Sequence, residues 1–93
     1  MQGDSVISAE VVARYAADAA CEVDGVTRVV QGVRRGIRID GEAIELHLAL
    51  RYGVSVARVG AAIQANVAAY LERMTSARPG AINIVVDEVD VVA

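Results

Sequence analysis

Large apolar residues recur at every second position between Glu42 and Gly53. Ile44, Leu46, Leu48, Leu50 and Tyr52 take every second position, with Glu45, His47, Ala49 and Arg51 between them. Successive side chains of a strand point to opposite faces, so this stretch predicts a strand with one buried face. After Gly53 the period changes from two to about 3.6. Val56, Val59, Ile63, Val67, Tyr70, Leu71 and Met74 form one stripe of a long helix, with Ser55 as its N-cap and Pro79-Gly80 forbidding continuation beyond it. A strand with one apolar face needs a covering layer, and the helix that follows supplies it most directly.

The flanking segments fit around this pair. Ser8 is a good N-cap for a first helix running to about Val23, and Ile7 is placed to pack on Val12 as a hydrophobic staple. Its apolar stripe is Val12, Tyr15, Ala16, Ala19 and Val23, so Cys21 falls on the opposite side with Glu10, Arg14 and Asp18. Asp24-Gly25 ends the helix, glycine accepting the left-handed conformation there. Val26 to Val30 reads as a short strand, Gln31 to Gly36 as a basic connection, and Gly36 to Ile39 as a second strand. A two-residue hairpin loop at Asp40-Gly41 pairs Ile39 with Glu42 and Ile37 with Ile44, which keeps both isoleucines on the apolar face. Ala81 to Val86 is the last strand, with Ile82, Ile84 and Val86 on one face, and Asp87-Glu88 is an acidic interruption before Val89 and Val91. The predicted fold is α+β: a single small domain over residues 6–93 behind a flexible N-terminus at 1–5. Its order is α-β-β-β-α-β, with a mixed sheet and two helices packed on one face.

Composition narrows the function. At 93 residues the chain makes one core, and 55% hydrophobic residues with only 3% aromatics mean a core of Val, Ile, Leu and Ala. A single cysteine excludes an intramolecular disulfide and a cysteine-based metal site, which suits a reducing compartment. No apolar run approaches the roughly 18 residues of a membrane span, and the first residues do not resemble a signal peptide. A cytoplasmic location is expected. Net charge −3 argues against non-specific attraction to nucleic acid or anionic lipid as the main activity.

Little in the chain carries catalytic chemistry. Cys21 and His47 would need hydrogen-bond reach to form a nucleophile and base, yet the predicted layers set them about 10 Å or more apart on opposite sides. One histidine does not make a metal site. Asp87, Glu88 and Asp90 read as a solvated strand end. Three surface features call for a use. Gly32-Val33-Arg34-Arg35-Gly36 is a glycine-flanked basic loop that Arg28, Arg38 and Arg51 could extend into a patch. It lacks an aromatic stacking platform and a following helix, so a hairpin connection with solvated Arg34 and Arg35 is the simpler reading. The outer side of the second helix shows Ala61, Ala62, Ala65, Ala68 and Ala69, either helix-favouring filler or a flat ridge packing on the first helix or another subunit. Gln64 and Asn66 flank the apolar stripe and read as bonding to nearby backbone.

Leu46-His47-Leu48-Ala49-Leu50-Arg51-Tyr52-Gly53, then Val59, Ile63-Gln64, Val67, Met74-Thr75 and Ile82-Asn83-Ile84-Val85-Val86 resemble the pattern of the bacterial alkaline shock protein family, the envelope stress response proteins of Gram-positive bacteria. Ile7 to Val12, and Ala19-Ala20 through Glu22-Val23-Asp24-Gly25-Val26, agree with the family's opening helix and first turn. The chain departs from the pattern at Val30 to Gly36 and at Ala77 to Gly80. The resemblance implies a non-enzymatic, cytoplasmic protein without cofactor, tied to envelope stress, held at the inner face of the cell membrane through a membrane-anchored protein partner and prone to form homo-oligomers. The expected interaction surface is Ala61, Ala65, Ala68 and Ala69, with Arg34 and Arg35. The alternative is a small nucleic-acid-binding module that uses Arg34-Arg35.

Overall fold

The structure is a computed structural model that describes residues 8–75 and 78–91. Six elements follow in the expected order: α1 (Ala9–Cys21), β1 (Val26–Val29), β2 (Ile37–Asp40), β3 (Ala43–Arg51), α2 (Val56–Thr75) and β4 (Ala81–Asp90). The alternating stretch is the organising strand. β1 and β2 both pair antiparallel with one side of β3, β1 against its C-terminal half and β2 against its N-terminal half. β4 pairs with the other side, parallel to β3, after the α2 crossover. The sheet is therefore mixed. At the junction of β1 and β2, the Val30 N–H donates to the His47 carbonyl and the His47 N–H donates to the Gly36 carbonyl, each at 2.9 Å. Residues 31–36 thus do not close a hairpin: they loop out between two strands lying end to end.

Both helices cover the face carrying Ile44, Leu46, Leu48 and Leu50. α1 contributes Ala16, Ala19 and Ala20 and α2 contributes Val59, Ile63, Val67 and Leu71, so the core is aliphatic, as the composition requires. The alanines let the helices approach closely enough for the Asn66 amide to donate to the Ala19 carbonyl at 2.7 Å. Tyr15 and Tyr70 meet edge to face at 5.9 Å, and the Arg73 guanidinium lies over the Tyr70 ring. The Ser8 hydroxyl accepts from the Val11 N–H and that of Ser55 from the Arg58 N–H, so both predicted N-caps form. The staple of Ile7 on Val12 and the flexible terminus at 1–5 lie outside the described residues.

Four expectations are corrected. The hairpin loop is Gly41-Glu42, and Ile39 pairs with Ile44 and Ile37 with Leu46. Gly41 alone supplies the positive φ, +61°, at the first loop position, so Asp40 stays in the strand. The register moves by two residues, which preserves the faces. α1 ends at Cys21 rather than Val23 and also buries Ala20. β4 does not stop at Val86: a register shift absorbs one extra residue and pairing continues to Asp90. Tyr52 lies past the end of β3 and is 71% exposed, and Val56 and Met74, at the two ends of the α2 stripe, are also exposed.

Candidate functional site

The sheet face away from the helices carries the charged chemistry, and two bulges organise it. Thr27 is the extra residue between Val26, opposite Leu50, and Arg28, opposite Ala49. Asp87 is the extra residue between Val86, opposite Leu48, and Glu88, opposite Ala49. A bulge sets two consecutive residues against one on the neighbouring strand and re-aims their side chains. Arg28 and Glu88 thus flank Ala49 from the two sides of β3, and the Arg28 guanidinium crosses over that fully buried methyl group to reach Glu88 and Asp90. The Thr27 hydroxyl lies 2.6 Å from the Asp90 carboxylate and 3.1 Å from the Ala49 carbonyl. Thr27 first and Arg28 second hold the Asp90 carboxyl below its ordinary value, and Glu88 and Asp90 raise Arg28 further.

His47 sits beside this clamp, 9% exposed. Its Nδ1 lies 2.8 Å from Asp87, and its Nε2 contacts Glu45. Only an imidazolium can donate from both nitrogens. The Glu45 hydrogen bond, working against burial and helped by Asp87, raises the His47 pKa above its ordinary value. Arg38 stands 3.9 Å from Glu45, and Arg51 pairs with Asp24 at 3.3 Å. Asp87, Glu88 and Asp90 are therefore not a solvated strand end, because each meets a cation on the sheet face. The extra residue in β4 is what turns Asp87 and Glu88 to the same side. An alternating pattern read from Ala81 could not show this. The usable signal was Glu45-x-His47 on the polar side of β3, facing a run of acids on its neighbour.

His47 has both nitrogens committed, and Cys21 stands exposed on α1, across the sheet from it. Partial burial and then Asp18 push the Cys21 thiol up, away from the reactive thiolate. Among the described residues, no group of three His, Cys, Asp or Glu side chains is arranged to hold a metal ion.

The sequence-predicted interaction residues fall at two opposite edges. Arg34 and Arg35 lie on the loop at the β1/β2 edge, exposed beside Val33, which is 90% exposed. Gly32, Arg34 and Gly36 all have positive φ there. Among the described residues neither arginine has an ion-pair partner, whereas Arg28, Arg38 and Arg51 are neutralised by carboxylates. The extended basic patch is therefore not formed. At the other edge Ala61, Ala65 and Ala69 are exposed and Ala68 is half-buried; α1 packs elsewhere, on the Asn66 side of α2. Ala65, Ala68 and Ala69 border a hollow with Glu72, Arg78 and Pro79. Ala61 borders a second hollow with Gly60, Ile84 and Val86. Between them the Gln64 amide donates to the Ile82 carbonyl at 2.9 Å, the backbone bond its position suggested.

The sequence pattern of the alkaline shock protein family, described as having a cell envelope-related function, matches residues 29–91. The chain belongs to the alkaline shock protein family. The matched span takes in β2, β3, β4 and α2, and with them the His47 site and the alanine ridge. YqhY of Bacillus subtilis (strain 168) is similar to this alkaline shock family chain, 34% identical over 99 residues, covering 88% of this chain and 73% of YqhY. A solved structure of MamM-CTD H264A has the same fold at TM-score 0.55 and 20% identity, over 89% of this chain and 100% of the other. No described helix is long and apolar enough to cross a membrane.

Proposed function

We propose that this alkaline shock family chain is a non-enzymatic interaction module of the cell envelope stress response in a Gram-positive bacterium. In this reading it works in the cytoplasm, binding its own copies and a membrane-anchored protein at the inner face of the membrane. The observation that carries the proposal is the bare small-residue face of α2. Ala61, Ala65 and Ala69 project methyl groups where a surface helix ordinarily carries long charged side chains, and this face continues into one hollow beside β4 and another beside Arg78 and Pro79. The envelope-related family supports the setting. Envelope stress and the anchored partner follow from the resemblance to alkaline shock proteins.

The test is to place a charge at the centre of that face. Ala65→Glu buries a carboxylate in any packed contact, at a cost of several kcal/mol, but costs little on a solvated helix. Sedimentation at rising concentration, with circular dichroism to confirm folding, should show wild-type association that survives moderate salt and is lost in the variant. Unchanged association would remove the ridge as an interface. Arg34 and Arg35, without an ion-pair partner among the described residues, support a second reading, nucleic-acid binding. A wild type that stays monomeric yet binds RNA with a steep salt dependence, abolished by Arg34→Glu with Arg35→Glu, would favour that reading instead.

A further inference from the structure

β4 is an open edge: one side pairs with β3 along the strand, and among the described residues no strand pairs with the other. An open edge presents backbone N–H and C=O groups to any strand that arrives, unless something blocks it. The opposite edge is guarded by shortness, since β1 and β2 have four residues each. The C-terminal half of β4 is guarded by the Asp87 bulge and three carboxylates. Ala81–Val86 is guarded only by the Gln64 amide, which occupies one lone pair of the Ile82 carbonyl and leaves the other for an arriving strand: the segment has no charge, no proline and no register shift, and four of its six residues are β-branched. Ile84 and Val86 remain only half-buried, beside a shallow groove shared with Val56, Ala57, Gly60 and Ala61 of α2.

We infer that Ala81–Val86 pairs antiparallel with the same segment of a second copy about a two-fold axis at Asn83, joining two sheets into one. This rests on the self-association proposed above and adds to the ridge a strand-edge contact beside its Ala61 end. Charge selects both occupant and direction. Arg78 precedes the open segment; Asp87 and Glu88, which His47 and Arg28 already meet from within the chain, follow it. Antiparallel pairing about Asn83 brings Asp87 and Glu88 of one copy beside Pro79 and Arg78 of the other, whereas parallel pairing would stack acid on acid. Arg78 is free to turn, because its present partner, Glu72, is itself half exposed. The small side chains of Ala57, Gly60 and Ala61 leave room for the second α2 to close over the groove. Such an isologous contact uses each open edge once, so assembly through it stops at two.

Residues on the axis of an antiparallel pair stand about 5.5 Å apart or less, within reach of a disulfide. Asn83→Cys in a Cys21→Ser background should give a cross-linked dimer on mild oxidation of the native protein, while Arg14→Cys on α1 in the same background should not. Asn83→Lys sets two ammonium groups on the axis, and the Glu45 carboxylate opposite it is already engaged by His47 and Arg38. This variant should raise the dimer dissociation constant at least tenfold in sedimentation, with the circular dichroism spectrum unchanged. Association without cross-linking at Asn83→Cys, or undiminished by Asn83→Lys, would overturn this interface and leave self-association standing. A wild type that stays monomeric would overturn both.

Discussion

A single histidine on the outer face of β3, with a carboxylate at each ring nitrogen, should make the stability of this protein sensitive to alkali. His47 is raised above its unfolded value of about 6.5 by Glu45 and Asp87, so its contribution to stability is fully present below that pH. It is lost as the pH rises through the folded pKa, when the neutral ring can donate to only one of its two carboxylates. Thermal melts between pH 6 and 9 should show wild type losing stability relative to His47→Gln. The variant should be about 1–2 kcal/mol less stable at pH 6, the order expected for a lost charge-assisted hydrogen bond. Equal pH profiles for the two proteins would mean that the ring does not carry the second proton. Asp90 acts in the opposite direction: its carboxyl is held low, so its contribution is present above about pH 3.9 and lost as the pH falls below that value.

Among the elements, two turns that look alike in sequence should respond differently. Gly41 and Gly25 both follow aspartate and both have positive φ. A Cβ at Gly41 would meet nothing within 4 Å, so Gly41→Ala costs only backbone strain, about 1 kcal/mol, and Gly41→Val roughly 1–2. At Gly25 the added Cβ would come within 3.0 Å of Val59 in the core, so Gly25→Ala should cost more, about 2–3 kcal/mol in denaturant melts. An equal cost at the two sites would show that the turn before β1 yields easily. The elements were legible because each face repeats with its own period: Ile44, Leu46, Leu48 and Leu50 identified β3, and Val59, Ile63, Val67 and Leu71 identified α2. The bulges were not legible. Thr27 and Asp87 break the alternation by one residue, and a broken alternation reads as the end of a strand. The His47 site was missed for this reason, since Asp87 is aimed only because β4 continues past it.

For the whole molecule, the connectivity of the sheet was legible only in part. The crossover through α2 put β4 parallel to β3, as the order of elements requires. Nothing local told that β1 and β2 would share one side of β3 instead of pairing with each other, because that choice is made by the length of the partner strand and not by the residues of the loop. Among the described residues every strand contact in the sheet therefore runs through β3. In the order of synthesis this leaves β1 and β2 without any strand to pair with until Arg51 has been made, and leaves one flank of β3 bare until Asp90 has been made. The domain is then expected to form as one unit once its synthesis is nearly complete. A product stopped after Gly80 should keep α1 and α2 but bind a hydrophobic dye and sediment as large aggregates, because the central strand has lost its parallel neighbour. A compact, soluble fragment would show that β3 is satisfied without it. Premature termination within β3, α2 or β4 should therefore yield not a smaller version of the domain but a sticky, unfinished one for the cell's quality control to clear.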